Sequence, residues 1–312
     1  MDDSQNEAHT FNVSAQVTSF QEHVLLQPDS TAELYQRVSF GRKTSHLDNV
    51  RFVTLKELEE LAGASITASV DYLLYSPYEN KEHFKMFLEF CKQNHTFVSS
   101  IKEIELQTSV VNISVYLSAV SVDNLMSVKV VIDEDVEQPK HSKSGVLLYS
   151  VISSLPSTLK SLDVSELLDS LYNVRFPLEL EELHFGACYM ETWPRFPPKL
   201  KILTFKDTFF ESYGAFPGLL RKIHFYLCTV EDYPLLLSSL PLELKELSLT
   251  HCKLPSLAGI ILPDSIEVLD LLNCSLNSIA DFKFPKSLKD INLKGNNLSE
   301  IGDSKFPALR RL

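Results

Sequence analysis

A chain of 312 residues, 44% hydrophobic and 22% charged, is long enough for one or two domains and has the composition of an ordinary folded protein. A formal charge of −12 and a pI near 5.2 argue against phosphate backbones and anionic membranes as general partners. No stretch approaches the roughly 20 apolar residues of a spanning helix. The opening MDDSQNEAHT lacks the basic and apolar regions of a secretory leader, so an intracellular chain, cytoplasmic or nuclear, is expected.

Residues 1–30 are polar and mixed, and predict a disordered or loosely packed tail. From Leu34, LYQRVSF predicts a first strand. HLDNVRF follows, with Leu47, Val50 and Phe52, and SVDYLLY, with Tyr72 and Leu74, lies about one period later. Thr54-Leu55-Lys56-Glu57 and Ser76-Pro77-Tyr78-Glu79 have capping-box spacing and predict helices near 55–62 and 77–93. Phe84, Phe87, Leu88 and Cys91 share one face of the second helix, which makes Cys91 a core residue. SSIKEIEL places Ile101, Ile104 and Leu106, and DNLMSVKV places Leu125, Val128 and Val130, at strand spacing. Together 31–154 predict irregular repeats with helical connections. Asp133 to Gly145 is polar and predicts an exposed loop.

From residue 155 a pattern repeats. Pro156, Pro177, Pro197, Pro217, Pro241, Pro263 and Pro285 are spaced by 21, 20, 20, 24, 22 and 22. Each is followed by an apolar residue three later, another three after that, and another two after that. Three residues further on stand Cys188, Thr208, Cys228, Cys252, Cys274 and Asn296 in the last six copies. An apolar residue then follows two later, at Met190, Phe210, Val230, Leu254, Leu276 and Leu298. The cysteines therefore predict an inward column in which a soft or polar donor satisfies turning backbone. Four cysteines 40, 24 and 22 residues apart, with no C-x-x-C pair, do not suggest zinc, and neither metal nor cofactor is expected. Trp193 falls in a column with Tyr213, Tyr233, Leu257 and Ile279 and is expected in the core. An eighth copy, FPALRRL, begins at Phe306. The chain stops inside it, which leads to the expectation that the natural protein is longer or that the last repeat frays or pairs.

The pattern L-x-x-L-x-L-x-x-N/C-x-L resembles the leucine-rich repeat family over 155–312. The resemblance implies an α/β solenoid, a curved horseshoe. Its parallel β-sheet would line the concave face, with helices on the convex side mainly in the N-terminal half. About seven parallel strands are expected after residue 155. Glu33-Leu34-Tyr35-Gln36-Arg37-Val38 resembles the first strand of fungal-type F-box leucine-rich repeat receptors. That likeness implies a second reading, the substrate-recognition subunit of a ubiquitin ligase whose F-box this chain lacks.

Leucine-rich repeat solenoids bind proteins, so the leading expectation is a non-enzymatic scaffold for a protein partner, with no nucleic acid and no membrane. Its oligomeric state is left open. Outward strand positions should form columns. The central column reads Asp163, His184, Thr204, His224, Ser248, Asp270 and Asn292. Ile202, Lys222 and Glu246 belong to the column before it, and Lys206 and Tyr226 to the one after. The candidate partner-binding residues are therefore Ile202, Lys206, Lys222, His224, Tyr226, His184, Glu246 and Asp270, since cationic and aromatic side chains are enriched at hot spots. A remote alternative is an enzyme using Cys91 or His224 with a neighbouring aspartate. The sequence carries no G-x-S-x-G, H-E-x-x-H or C-x-x-C motif.

Overall fold

The computed structural model describes residues 24–26, 51–53, 72–75, 85, 88, 89, 91–93, 95–107, 117, 124–131, 152, 155–164, 174–186, 188–254, 256–280, 282–299, 307, 309 and 310. The chain divides into two compact units, Met1–Glu105 with Val115–Asn124, and Leu106–Ser114 with Leu125–Leu312. The boundary expected at 155 falls inside the second.

In the first unit, β1 (Val24–Leu26), β2 (Arg51–Val53) and β3 (Tyr72–Tyr75) are parallel. β1 pairs with both others, setting Val24 opposite Arg51 on one side and Leu73 on the other. Successive solenoid coils would stack in chain order, and these three strands do not. β1 is a run of three apolar residues inside the stretch read as a tail, and such a run suits a strand with neighbours on both sides. The described residues from 85 to 93 are helical, and α1 (His95–Ser100) carries helix seven residues past the expected end. The strand from Leu34 and the helix near 55–62 lie outside the described residues. So does the loop from 133 to 145.

β4 (Glu103–Gln107) and β5 (Ser127–Val131) form where the apolar alternation places them. Ile101, Ile104, Leu106, Leu125, Val128 and Val130 are all buried.

In the second unit β5 pairs with β6 (Ser161–Val164), which opens seven further strands in one parallel sheet. They are β6, β7 (Glu182–Gly186), β9 (Ile202–Lys206), β11 (Lys222–Tyr226), β13 (Glu246–Thr250), β14 (Val268–Asp270) and β15 (Asp290–Asn292). The register is invariant. Leu162, Leu183, Leu203, Ile223, Leu247, Leu269 and Ile291 face one another across neighbouring strands and are buried. The alternation explains this: one face of each short strand is apolar, and each coil covers its neighbour's apolar edge.

The next inward column carries the largest side chains. Phe185 stacks on Phe205 at 5.7 Å and Phe205 on Phe225 at 5.4 Å, with both pairs tilted by 19°. Phe210 meets Phe205 and Phe225 edge-on at 5.0 and 5.8 Å. A second, three-stranded parallel sheet joins β8 (Tyr189–Met190), β10 (Phe209–Phe210) and β12 (Thr229–Val230), closing the core behind the phenylalanines.

The repeat prolines stand in the turns that lead into the strands. Each carbonyl closes a turn, accepting the N–H of the residue three on: Leu159 to Pro156, Leu180 to Pro177, and so on to Leu288 and Pro285, at 3.1–3.3 Å. Proline fixes the φ of a turn residue and has no N–H to leave unpaired.

Helices are few among the described residues. α2 (Tyr233–Ser238) fills the four extra residues of the 24-residue repeat. Asp232 caps it, accepting the Leu235 N–H at 2.8 Å, and Pro234 stands in its first turn. It buries Tyr233, Leu236 and Leu237 and leaves Leu235 exposed.

Trp193 departs from the expected core. Tyr233, Leu257 and Ile279 of its column are buried, but Trp193 and Tyr213 are half-buried. Their polar tips stay on the backbone. Trp193 Nε1 donates to Ala215 O at 3.1 Å, and the Tyr213 hydroxyl accepts the N–H groups of Glu231 and Asp232.

Candidate interaction surface

The cysteine column does the backbone work its position implies. Cys228 Sγ donates to Phe205 O at 3.4 Å, and Cys252 Sγ to Phe225 O at 3.6 Å. Cys274 Sγ donates to Leu249 O. Each thiol thus reaches the carbonyl of an earlier coil's strand. Asn296 does more in the same place, donating to Leu271 O and accepting the N–H groups of Cys274 and Leu276. All five cysteines are free and buried. Burial pushes the Cys91 and Cys274 thiols up to about 12 and Cys228 higher still, so nothing activates Cys91 as a nucleophile. Among the described residues no group of three or more His, Cys, Asp or Glu is placed to hold a metal ion. No helix among them is long and apolar enough to cross a membrane.

At one equivalent place after the strand, five successive coils turn through the left-handed region. Asp207, Leu227, His251, Asn273 and Gly295 have φ between 50° and 73°. These positions are adjacent along the stack. Tyr226 meets His251 edge-on at 5.3 Å, and His251 Nε2 lies 3.0 Å from Asn273 Nδ2. A Cβ on Gly295 would run into the Asn273 side chain.

The open face of the sheet carries every sequence-nominated residue. Glu182, Ile202, Lys222, Glu246 and Val268 form one column, and His184, Thr204, His224, Ser248 and Asp270 the next. Gly186, Lys206, Tyr226 and Thr250 form the third. Ile202, Lys206, Lys222, His224, Tyr226 and Glu246 come together on three adjacent strands. His184 lies one strand to one side and Asp270 one strand to the other.

Glu246 ties the centre together. It takes Lys222 Nζ at 2.8 Å and stands 3.5 Å from His224 Nε2. That carboxylate favours a charged imidazole, but burial is the larger influence and holds the His224 pKa below its ordinary value. Lys206 and Tyr226 are exposed, Tyr226 by 39%.

A fourth column, which sequence reasoning missed, lies one residue before the strands: Lys160, Glu181, Lys201, Arg221, Lys245, Glu267 and Lys289. Its backbone makes the same rung each time. The Lys201 carbonyl, for example, accepts both Arg221 N and Lys222 N. The signal was available, four residues past each repeat proline. Glu181 bridges Lys160 and Lys201, at 3.3 and 2.5 Å, and Glu267 bridges Lys245 and Lys289. These lysines hold both glutamates below the usual carboxylate range.

Comparison with known proteins adds little beyond this. No family model and no curated protein matches the chain. One solved structure, described as the crystal structure of CroV588, a novel circular LRR protein, is similar at 15% identity with a TM-score of 0.48. The alignment covers 93% of this chain and 46% of that one, so the chain spans about half its length. The F-box likeness rests on residues 33–38, which lie outside the described residues. Seven proline-led repeats, seven parallel strands in one register and an inward Cys/Asn column make this chain a repeat protein of the leucine-rich-repeat type.

Proposed function

We propose that the chain is a protein-interaction scaffold whose partner docks on the open face of the sheet. The site is centred on Ile202, Lys206, Lys222, His224 and Tyr226 and bounded by His184, Glu246 and Asp270. One observation carries this reading: the common register gathers residues 20 to 24 positions apart into one patch with aromatic, aliphatic and cationic members. A fixed sheet presents such a patch with little ordering cost, which favours binding over catalysis. The free, buried thiols suit a reducing compartment, cytoplasmic or nuclear.

The test is site-specific photocross-linking in cells, with the reactive side chain at Tyr226 or, as a control, at exposed Leu178 on the turn edge. A discrete adduct from position 226, lost when Lys206→Glu is added, is the expected result. Adducts formed equally from both positions count against the open face.

A further inference from the structure

We infer that the partner contributes an acidic segment, bound in extended form along the strands of the three central coils. This inference rests on the reading of the open face as the docking face. It starts from a contrast within the column that precedes the strands. At both ends of that column nature alternates sign, with Glu181 between two lysines and Glu267 between two more. In the middle it does not. Lys201, Arg221 and Lys245 stand on consecutive coils, joined by backbone rungs from Lys201 O to Arg221 N and from Arg221 O to Lys245 N, both 2.8 Å. Neighbouring strands lie about 4.8 Å apart, so three cations fall within about 10 Å. Glu181 and Glu267 pair with the outer two, Lys201 and Lys245, which leaves the central Arg221 in no ion pair among the described residues. Like charges side by side on adjacent strands destabilise a sheet. Arg221 relieves none of this. Among the described residues its Nη1 donates to the backbone of Leu219 and Leu220 alone, at 3.4 and 3.1 Å.

The cationic area extends over the strands. Lys222 follows Arg221, and Lys206 stands exposed at the far end of β9, in no ion pair among the described residues. Glu246 is the one carboxylate inside this area, and it is engaged by Lys222 and His224. Such a concentration in a chain of net charge −12 is a local reversal of sign. Lys201 and Lys206 bracket β9, so the area is about 16 Å long by about 10 Å wide. That length takes about five residues of extended peptide, whose alternate side chains recur every ~7 Å and reach cations at both ends. Ile202 and Tyr226 supply apolar contact between them. A nucleic acid is the less favoured occupant, because Glu181, Glu246 and Glu267 interrupt any continuous phosphate track.

The test is selection from a random peptide library displayed on phage, panned on the full chain, with fluorescence anisotropy on the enriched peptides. The variants are Lys206→Glu/Arg221→Glu and, separately, Tyr226→Ala, each checked for an unchanged melting temperature. Should the double reversal melt early, Lys206→Gln/Arg221→Gln replaces it. The inference expects enriched peptides rich in Asp and Glu, weakened at least about tenfold by the charge variant and by added salt. Enriched peptides without acidic excess that still lose affinity with Tyr226→Ala would overturn the inference and leave the open-face reading standing. Peptides indifferent to every variant, or no enrichment at all, would overturn both. Displacement of the peptides by a single-stranded oligonucleotide at lower concentration would assign the patch to nucleic acid and overturn the acidic-segment inference.

Discussion

Asn296 Oδ1 accepts the backbone N–H of Cys274 at 2.9 Å, so a side chain of one coil completes the hydrogen bonding of the coil before it. The thiols of Cys228, Cys252 and Cys274 in the same column each donate to a carbonyl of the coil before, and none takes a backbone N–H there as Asn296 does. Asparagine is therefore the more complete solution, and cysteine the smaller one. Cys252→Asn should cost less than about 1 kcal/mol in urea denaturation, because the new carbonyl can take N–H groups as Asn296 does. Cys252→Asp should cost about 3 kcal/mol or more, since it leaves a charge buried without a counter-ion.

Phe205 sits between two stacked rings and meets a third edge-on. Phe205→Ala should destabilise the protein by about 3–5 kcal/mol, the range for emptying a fully packed aromatic site. Phe282→Ala, in an outer coil where the buried ring meets Phe284 edge-on at 4.9 Å and stacks on no ring among the described residues, should cost less. Equal losses would mean that the central coils are no better packed than the outer ones.

The single tryptophan is a built-in reporter. A Cβ on Gly214 would lie 2.8 Å from Trp193 Cγ, inside van der Waals contact. Gly214→Ala should displace the indole, shift its emission, and cost about 1–3 kcal/mol by overpacking. An unchanged spectrum would place Trp193 elsewhere.

Leu227 is held at a φ of 56° and is 45% exposed. Its column tolerates asparagine, as Asn273 shows. A leucine in this region carries strain of about 1 kcal/mol, so Leu227→Asn should raise stability by roughly 0.5–1 kcal/mol. If the leucine is kept for a partner, the stabilised variant binds less well.

The pH dependence of stability carries a sign from His224. Its pKa in the folded protein lies below the ordinary 6.5, chiefly through burial. As pH falls from neutrality through that region, the unfolded chain takes up a proton before the folded one does, and stability declines. His224→Asn should flatten this decline between about pH 7 and pH 5. The carboxylates of Glu181 and Glu267 act in the same direction but lower, because their pKa values lie below 4.5 when folded.

The columns of the open face were legible residue by residue from the sequence, because a period of 20 to 24 with fixed offsets leaves one register. α2 was missed although Asp232 and Pro234 announce a helix start. Tyr233 was read only as a member of the Trp193 column, and six residues are too few to show a helical period. The half-exposure of Trp193 was illegible because a column fixes direction, not what covers a side chain. The place of β1 between β2 and β3 was illegible for another reason. Three consecutive apolar residues carry no alternation from which a register could be read. The cationic centre was not legible from the strand columns, because Arg221 lies one position before β11.

Each central coil is hydrogen-bonded to its two neighbours alone, through rungs such as Lys201 O to Arg221 N. Force applied along the stack of the second unit meets these rungs one coil at a time. Tension on the C-terminal end should therefore peel the molecule in steps, as a zipper opens, and not break it at a single yield point. Each step releases 20 to 24 residues, roughly 7–8 nm of extended chain. The coil holding α2 should give the longest extension, and the phenylalanine-packed coils the highest force.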